Sequence, residues 1–397
     1  MLNRRTFLET GAALGVGSLA GQKAEAATSA IKRHVTLGKT GLSVSEIGFG
    51  SASSQDPALI SYALDRGVTF FDTAESYRFG WSEEAMGAGL KAVPRDQIVL
   101  NSKTKAGASA SEAEMMEALE GSLKRLQTDY LDVYFNHAVN NVGRMQNEAW
   151  ANFTEKAKQQ GKIRFRGMSG HGSKLAQCLD YAIDNDLVDV ILCAYSFGED
   201  PDLYDKLKHT FHYVAIQSEL PPVLDKAREK NIGVIAMKTL MGARLNDMRP
   251  FEKEGRTYAQ AALRWVLSSS RVDAALISMT SFDNIDEYIG ASGQEDDKAG
   301  DAEILGRYAA LQSNRYCRHG CNGCEGACPE GVEIAEVLRT RMYDVDYKNP
   351  ALAHEDYAKL GSGAVACLTC QHQACLGSCP VDIPIPTFTK DAARRFG

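Results

Sequence analysis

The sequence carries no excess of positive charge, no long apolar run and few cysteines outside one short stretch. With 44 Lys and Arg against 51 Asp and Glu the formal net charge is −7. No basic stripe with interleaved aromatics appears, so nucleic acid is not an expected partner. Nothing approaches the ~20 apolar residues that a membrane-spanning helix needs, so no stable membrane span is expected. A complete glycine-rich phosphate fingerprint is missing too. Gly48-Phe49-Gly50 is only a fragment of one, which argues against an open doubly wound nucleotide-binding sheet. Of the ten cysteines, only Cys178 and Cys193 lie in the middle of the chain, where they read as core thiols on a helix and a strand. The other eight fall between Cys317 and Cys379. A packed core would not segregate its thiols in this way, so they point to a local framework of metal, cluster or disulfide bonds.

What is present is an ordinary globular composition over 397 residues, 44% hydrophobic and 24% charged, with room for two or three domains, one of them a large single-core barrel. The first residues read as an address. Arg4-Arg5 is followed by Thr6-Phe7-Leu8, then by a weakly apolar run from Gly11 to Ala20 diluted with glycine, then by Ala24-Glu25-Ala26. In that order these features resemble a twin-arginine export signal over residues 1–27, which implies an exported, periplasmic or extracytoplasmic protein.

From about Val35 to Ala291 short apolar strands alternate with amphipathic helices. Strands are expected at Val44–Phe49, Thr69–Asp72, Gln97–Lys103, Tyr130–Asn136, Ile163–Ser169, Val190–Cys193, Gly233–Lys238 and Ala274–Ser278. Helices are expected at Ser82–Lys91, Glu112–Leu126, Ala151–Gln160, Lys174–Asp186 and Tyr258–Ser268. Eight strands alternating with helices give an α/β chain whose parallel sheet can close into a (β/α)8 TIM barrel. Glu199–Pro222 is long for a strand–helix loop and reads as an insertion over the barrel mouth, with its own helical stretch. Gln294–Gly300 is acidic and polar and reads as a linker.

Four residues stand at or just past the carboxyl ends of successive strands, where a barrel gathers its chemistry. They are Asp72, Tyr77 five residues after it, Lys103, and His137. Their types suit carbonyl reduction. Adding hydride to a carbonyl leaves an alkoxide that needs a proton, and tyrosine can supply one if its pKa of ~10 is tuned. Lys103 is expected to lower that pKa, Asp72 to hold Lys103 charged and in place, and His137 to orient the carbonyl oxygen through a hydrogen bond. Each alone is commonplace: a buried Tyr, a capping Asp, a surface Lys or a satisfied His. In order, at consecutive strand ends, they read as one site.

These motifs, with Leu37-Gly38-Lys39-Thr40-Gly41-Leu42-Ser43-Val44-Ser45, Gly161-Lys162-Ile163-Arg164 and Val234-Ile235-Ala236-Met237-Lys238, resemble the aldo-keto reductase family over about residues 33–292. The resemblance implies a catalytic tetrad of Asp72, Tyr77, Lys103 and His137, and a nicotinamide cofactor. The family's carboxamide grip is represented by Ser169, but Gly170 takes the place of its Asn, Leu192 that of its Gln and Met237 that of its stacking Tyr. The stretch Met279–Asn284 lacks the Lys and Arg expected at a 2′-phosphate, although Lys238 and Arg244 could meet a pyrophosphate or phosphate. These departures weaken the NAD(P)H expectation more than they weaken the fold.

The cysteine segment is duplicated. Cys317-x₃-Cys321-x₂-Cys324-x₃-Cys328-Pro329 is followed by Cys367-x₂-Cys370-x₄-Cys375-x₃-Cys379-Pro380. Three thiolates at short spacing and a Cys-Pro form the bacterial ferredoxin signature, and its occurrence twice resembles a dicluster module with two [4Fe-4S] clusters. Two zinc sites and four disulfides are the rival readings. Zinc does not explain the Cys-Pro in both halves. The disulfide reading suits an oxidising compartment, but twin-arginine export of folded, cofactor-loaded protein makes the cluster reading consistent with the first residues. Ile334, Val337, Leu338 and Met342 have helical spacing, so residues 300–397 are expected to form a small, mainly α-helical ferredoxin-like domain. Two functions follow. One is an oxidoreductase acting on a small-molecule carbonyl or alcohol, with the clusters passing electrons to or from a redox partner. The other is a non-catalytic electron-transfer or binding module on a vestigial barrel.

Overall fold

The computed structural model describes residues 29–199, 219–241, 247–253, 256–294, 298–312, 314–317, 321–361 and 363–397. Residues 1–27, most of Glu199–Pro222, and Arg244 lie outside the described residues. Two short strands, β1 (His34–Thr36) and β2 (Ser43–Ser45), pair as an antiparallel hairpin. Eight more strands follow: β3 (Ile47–Gly50), β4 (Phe70–Asp72), β5 (Val99–Thr104), β6 (Leu131–Asn136), β7 (Ile163–Gly170), β8 (Val190–Ala194), β9 (Gly233–Met237) and β10 (Ala274–Ser278). They pair in parallel in chain order, and β10 returns to β3 to close the barrel.

The one strand expected at Val44–Phe49 is two, broken at Glu46. That side chain is buried and accepts from Arg33, from Ser292 Oγ at 2.9 Å and from the Gly293 amide at 2.6 Å. Satisfying a buried carboxylate there turns the chain from the hairpin into the barrel. Leu37, Leu42 and Val44 of the hairpin region pack with Phe70, Val99, Val133, Val190, Leu192 and Ile235, so the hairpin stoppers the lower end of the barrel. Gly38 makes this possible. It has φ +47°, and a Cβ there would meet the Gly233 amide nitrogen at 2.4 Å.

Helices cover the outside of the barrel and begin where capping chemistry allows. Ser111 and Glu114 form a capping box on Glu112–Leu126, and Thr257 and Gln260 do the same for Tyr258–Ser268. The Lys298–Gln312 helix takes up the last residues of the expected linker. Ile304, Leu305, Tyr308 and Ala309 join the barrel's outer core, so that core extends beyond residue 292. Arg264 grips Asp301 through two hydrogen bonds of 2.7 and 2.6 Å, both side chains nearly fully buried, and Tyr308 stacks on Tyr258 at 4.0 Å. A bidentate guanidinium–carboxylate pair satisfies both charges in that dry setting.

The cysteine-rich segment has a separate core. Its helices are Ile334–Val345, Pro350–Tyr357 and Ile385–Phe396. The four apolar residues with helical spacing, Ile334, Val337, Leu338 and Met342, are all buried there, together with Tyr316, Ile385 and Ala392. Among the described residues no helix is long and apolar enough to cross a membrane.

Candidate active site

The upper end of the barrel brings the four expected residues together. Asp72 ends β4, Lys103 sits one residue before the end of β5, and His137 follows β6 directly. Tyr77 opens the turn after β4, where Arg78, Phe79 and Gly80 have positive φ in succession. Lys103 is fully buried, and its ammonium finds three partners. It donates to the Asp72 carboxylate and to the Thr73 carbonyl at 2.6 Å, and lies 3.5 Å from the Tyr77 hydroxyl. An ammonium has three protons to give, so this set accounts for all of them. Its nitrogen is also 4.8 Å from the centre of the Tyr77 ring.

His137 packs edge-on to Tyr77, with ring centres 5.4 Å apart and planes at 82°. Its Nδ1 is 3.2 Å from Ser76 Oγ. Ser76 was not picked out from the sequence. Its position next to Tyr77, at the turn leaving a strand end, was the available signal. With Ser76 as the donor to Nδ1 the neutral imidazole carries its proton on Nε2, which is then a hydrogen-bond donor; with the ring as donor to Ser76 the roles reverse.

The electrostatics differ from expectation in one respect. Burial pushes the Tyr77 phenol up and Lys103 pulls it down, but burial prevails, so the net shift is above 10.0 rather than below it. Burial also raises the Asp72 carboxyl, with Lys103 offsetting only part of that. For Lys103 burial acts downward, yet Asp72 and Tyr77 together hold it above 10.5. Burial, then Lys103, Lys105 and His171, hold His137 well below 6.5. The site at neutral pH therefore contains a protonated phenol, a protonated amine and a neutral imidazole.

The described residues expected to meet a cofactor have the following surroundings. The Ser169 hydroxyl accepts from the Ala138 amide at 3.0 Å. A Cβ at Gly170 would meet Leu175 at 2.7 Å and the Val139 carbonyl at 3.0 Å, so no larger side chain fits there without rearrangement. Lys238, at φ +60°, lies 5.6 Å from the ring centres of both Tyr343 and Tyr347 of the cysteine-rich domain. Burial there lowers its pKa to about 8. Ser281 spends its hydroxyl capping the Phe282–Ile289 helix.

Further contacts seat the cysteine-rich domain on this same end of the barrel. Lys105 pairs with Glu355 at 2.6 Å. The Glu336 carboxylate accepts from Asn140 Nδ2 at 2.9 Å, from the Ser173 amide at 2.9 Å and from Ser173 Oγ at 3.0 Å. These polar residues carried no signal in the sequence, since on an amphipathic helix a Glu reads as a solvated face.

The eight clustered cysteines divide across the two motifs. Cys321, Cys324 and Cys379 stand close enough to the Cys317 thiol to act on it electrostatically, and Cys367, Cys328 and Cys370 do the same to Cys375. Gly323 backs directly onto Pro380. Cys328, Cys367, Cys370 and Cys375 line one pocket, largely apolar and partly continuous with solvent. Burial and mutual proximity raise several of these thiols, Cys324 to about 12. Among the described residues no three His, Cys, Asp or Glu side chains converge closely enough to hold a single metal ion.

Residues 46–299 match the family model described as "Aldo/keto reductase family". The L-galactose dehydrogenase of Arabidopsis thaliana is 27% identical over 312 residues, covering 69% of this chain and 92% of its own length. The L-glyceraldehyde 3-phosphate reductase of Escherichia coli K12 is 25% identical over 64% of this chain and 86% of its own. Among solved structures, an aldo/keto reductase from Klebsiella pneumoniae in complex with NADP and acetate superposes with a TM-score of 0.55 at 26% identity, covering 74% of this chain and all of the other.

Proposed function

The chain belongs to the aldo/keto reductase family and is an oxidoreductase; from that premise we propose that it interconverts a small aldehyde- or sugar-type carbonyl with the corresponding alcohol, and that its cysteine-rich domain is a dicluster ferredoxin-like module. The observation that carries the first half is the buried Lys103 ammonium shared by Asp72, the Thr73 carbonyl and Tyr77 at one barrel mouth. Relatives named for a sugar and an aldehyde substrate support the substrate class.

In the reducing direction a hydride donor of the reduced-nicotinamide class, weakly held, would supply the electron pair to the carbonyl carbon, and the Tyr77 hydroxyl gives its proton to the substrate oxygen. The phenolate left behind lies beside the Lys103 ammonium, which Asp72 keeps charged. His137, neutral and with Nδ1 committed to Ser76, donates from Nε2 to the same oxygen and fixes its direction. Each role uses the protonation state that the site favours at neutral pH. We therefore expect the reduction rate to be flat between about pH 6.5 and 10, the ordinary His and Tyr values. The alkaline limb should lie above 10.0, because Tyr77 must stay protonated and its pKa is raised. The acid limb should lie below 6.5, because His137 must stay neutral and its pKa is depressed. A pH profile of kcat/KM checks this, and a rate that falls as pH rises through 6.5 or below would assign proton donation to the imidazolium instead.

The described residues fit a nicotinamide poorly. Gly170 has no room for an amide side chain, Lys238 lies against tyrosines, and Met279–Asn284 has no cation. We expect weak binding of both NADPH and NADH, with affinities within about tenfold of each other. Fluorescence titration tests it; tight and strongly NADPH-selective binding would restore the family's usual cofactor.

The cysteines fit iron–sulfur clusters better than isolated ions. Cys317, Cys321, Cys324 and Cys379 would hold one [4Fe-4S] cluster, and Cys328, Cys367, Cys370 and Cys375 the other. The second set lines one pocket, and the buried Cys317 and Cys324 thiols, whose pKa values are raised, need a cationic core before they ionise. When bound, such clusters supply one-electron carriage, which suits a redox partner. The Arg4-Arg5 segment supports export by the twin-arginine route to a periplasmic or extracytoplasmic site, with the clusters inserted beforehand.

A further inference from the structure

The two cysteine quartets have unequal electrostatic surroundings. Arg339, on the Ile334–Val345 helix, is 1% exposed. Its Nη1 donates to the Cys321 carbonyl at 3.1 Å and lies 4.0 Å from Cys317 Sγ. Its Nη2 donates to Glu336 at 2.5 Å. That carboxylate is in turn held by Asn140 and Ser173, from the loops that follow β6 and β7. One buried guanidinium thus reaches from the first quartet to the residues of the barrel mouth. Its charge is opposed by Glu336, which spreads its own over four donor groups, and by Glu325 near Cys324, which is exposed and screened by water. The cation beside the second quartet is Lys390, which is only half-buried.

We propose that Arg339 makes the quartet Cys317, Cys321, Cys324 and Cys379 the higher-potential cluster site, so that a single electron entering the domain comes to rest on the side facing the barrel mouth. The proposal rests on the reading that both quartets hold clusters. Reduction of such a site takes one electron from a one-electron reductant. No bond breaks and no proton moves, because a guanidinium stays protonated throughout. The added negative charge is stabilised by a buried cation in contact with ligand sulfur, and hydrogen bonds, net charge and exposure are what set cluster potentials. The seam quartet has the buried cation, and the other has an apolar pocket open to water.

The test is a redox titration of the full-length protein, purified without oxygen, followed by paramagnetic resonance. Wild-type protein should show two midpoint potentials. Arg339→Gln should lower the upper one by a factor of ten or more in the one-electron equilibrium constant, about 59 mV, and leave the lower one in place. Glu336→Gln, which frees the guanidinium of its counter-charge, should raise that same potential. Arg339→Lys should restore most of the wild-type value. If Arg339→Gln fails to fold, the Glu336→Gln and Arg339→Lys titrations decide alone. Movement of the lower potential, of both equally or of neither overturns the proposal while leaving the clusters in place. Wild-type protein without two four-iron clusters overturns the cluster reading and this inference with it.

Discussion

Tyr77→Phe should lower the rate of carbonyl reduction by roughly 10²–10⁴-fold, the range typical of losing a general acid. The substitution removes one oxygen and little else. The ring that packs edge-on to His137 at 5.4 Å and lies 4.8 Å from the Lys103 nitrogen remains, so the cavity keeps its shape. Lys103 keeps Asp72 and the Thr73 carbonyl, so the buried charge stays paired. What disappears is the one proton that stands beside an ammonium able to stabilise the anion left behind. His137 is a poor substitute, because its pKa is held well below 6.5 and it is neutral at working pH. The variant should fold and carry the same iron as the parent. Steady-state reduction of an aldehyde, with iron content and circular dichroism as controls, measures the effect. A variant with full activity would remove Tyr77 from the mechanism.

The same site shows which parts of the molecule a sequence can disclose. Strand ends are legible because a parallel barrel writes each strand as a short apolar run and gathers the residue after it at one mouth. Asp72, Lys103 and His137 were found in that way, and Tyr77 by its distance from Asp72. Ser76 escaped because a serine in a turn has too many ordinary uses. The sign of the Tyr77 shift escaped for a different reason. Proximity to Lys103 could be inferred, but the degree of burial, which outweighs it, is a property of the assembled mouth. Glu46 illustrates the same limit in the fold: one buried carboxylate split an expected strand in two. The seam is the largest feature that stayed hidden. Asn140, Ser173 and Glu336 are ordinary polar residues on separate elements, the first two 196 and 163 positions from Glu336, and nothing in the chain pairs them with it before it folds.

If the two quartets hold clusters as proposed, a chain ending at Ala366 should lose both, not one. In the crossed arrangement the Cys before each proline serves the other motif. Removing the second motif takes Cys379 from the first cluster and Cys367, Cys370 and Cys375 from the second, so iron should fall from about eight per chain to near zero. The physical reason is geometric. Three closely spaced cysteines wrap one side of a cluster, the proline turns the chain away, and the fourth thiolate points across. The backing of Gly323 onto Pro380 and the company of Cys328 with Cys367, Cys370 and Cys375 around one opening favour that wiring. Truncation also removes the Ile385–Phe396 helix, whose Ile385, Ala392 and Ala393 are buried in this domain's core, so lost packing could imitate lost ligands. Two full-length variants separate the causes. Cys379→Ala should damage the cluster of Cys317, Cys321 and Cys324, from which it is more than fifty residues distant in sequence, and Cys328→Ala should damage the cluster of the second motif. Potentials tell the two apart. If the truncated chain keeps one intact four-iron cluster by iron count and paramagnetic resonance, or if each single variant damages the cluster of its own motif, every motif serves itself and the crossed wiring is wrong.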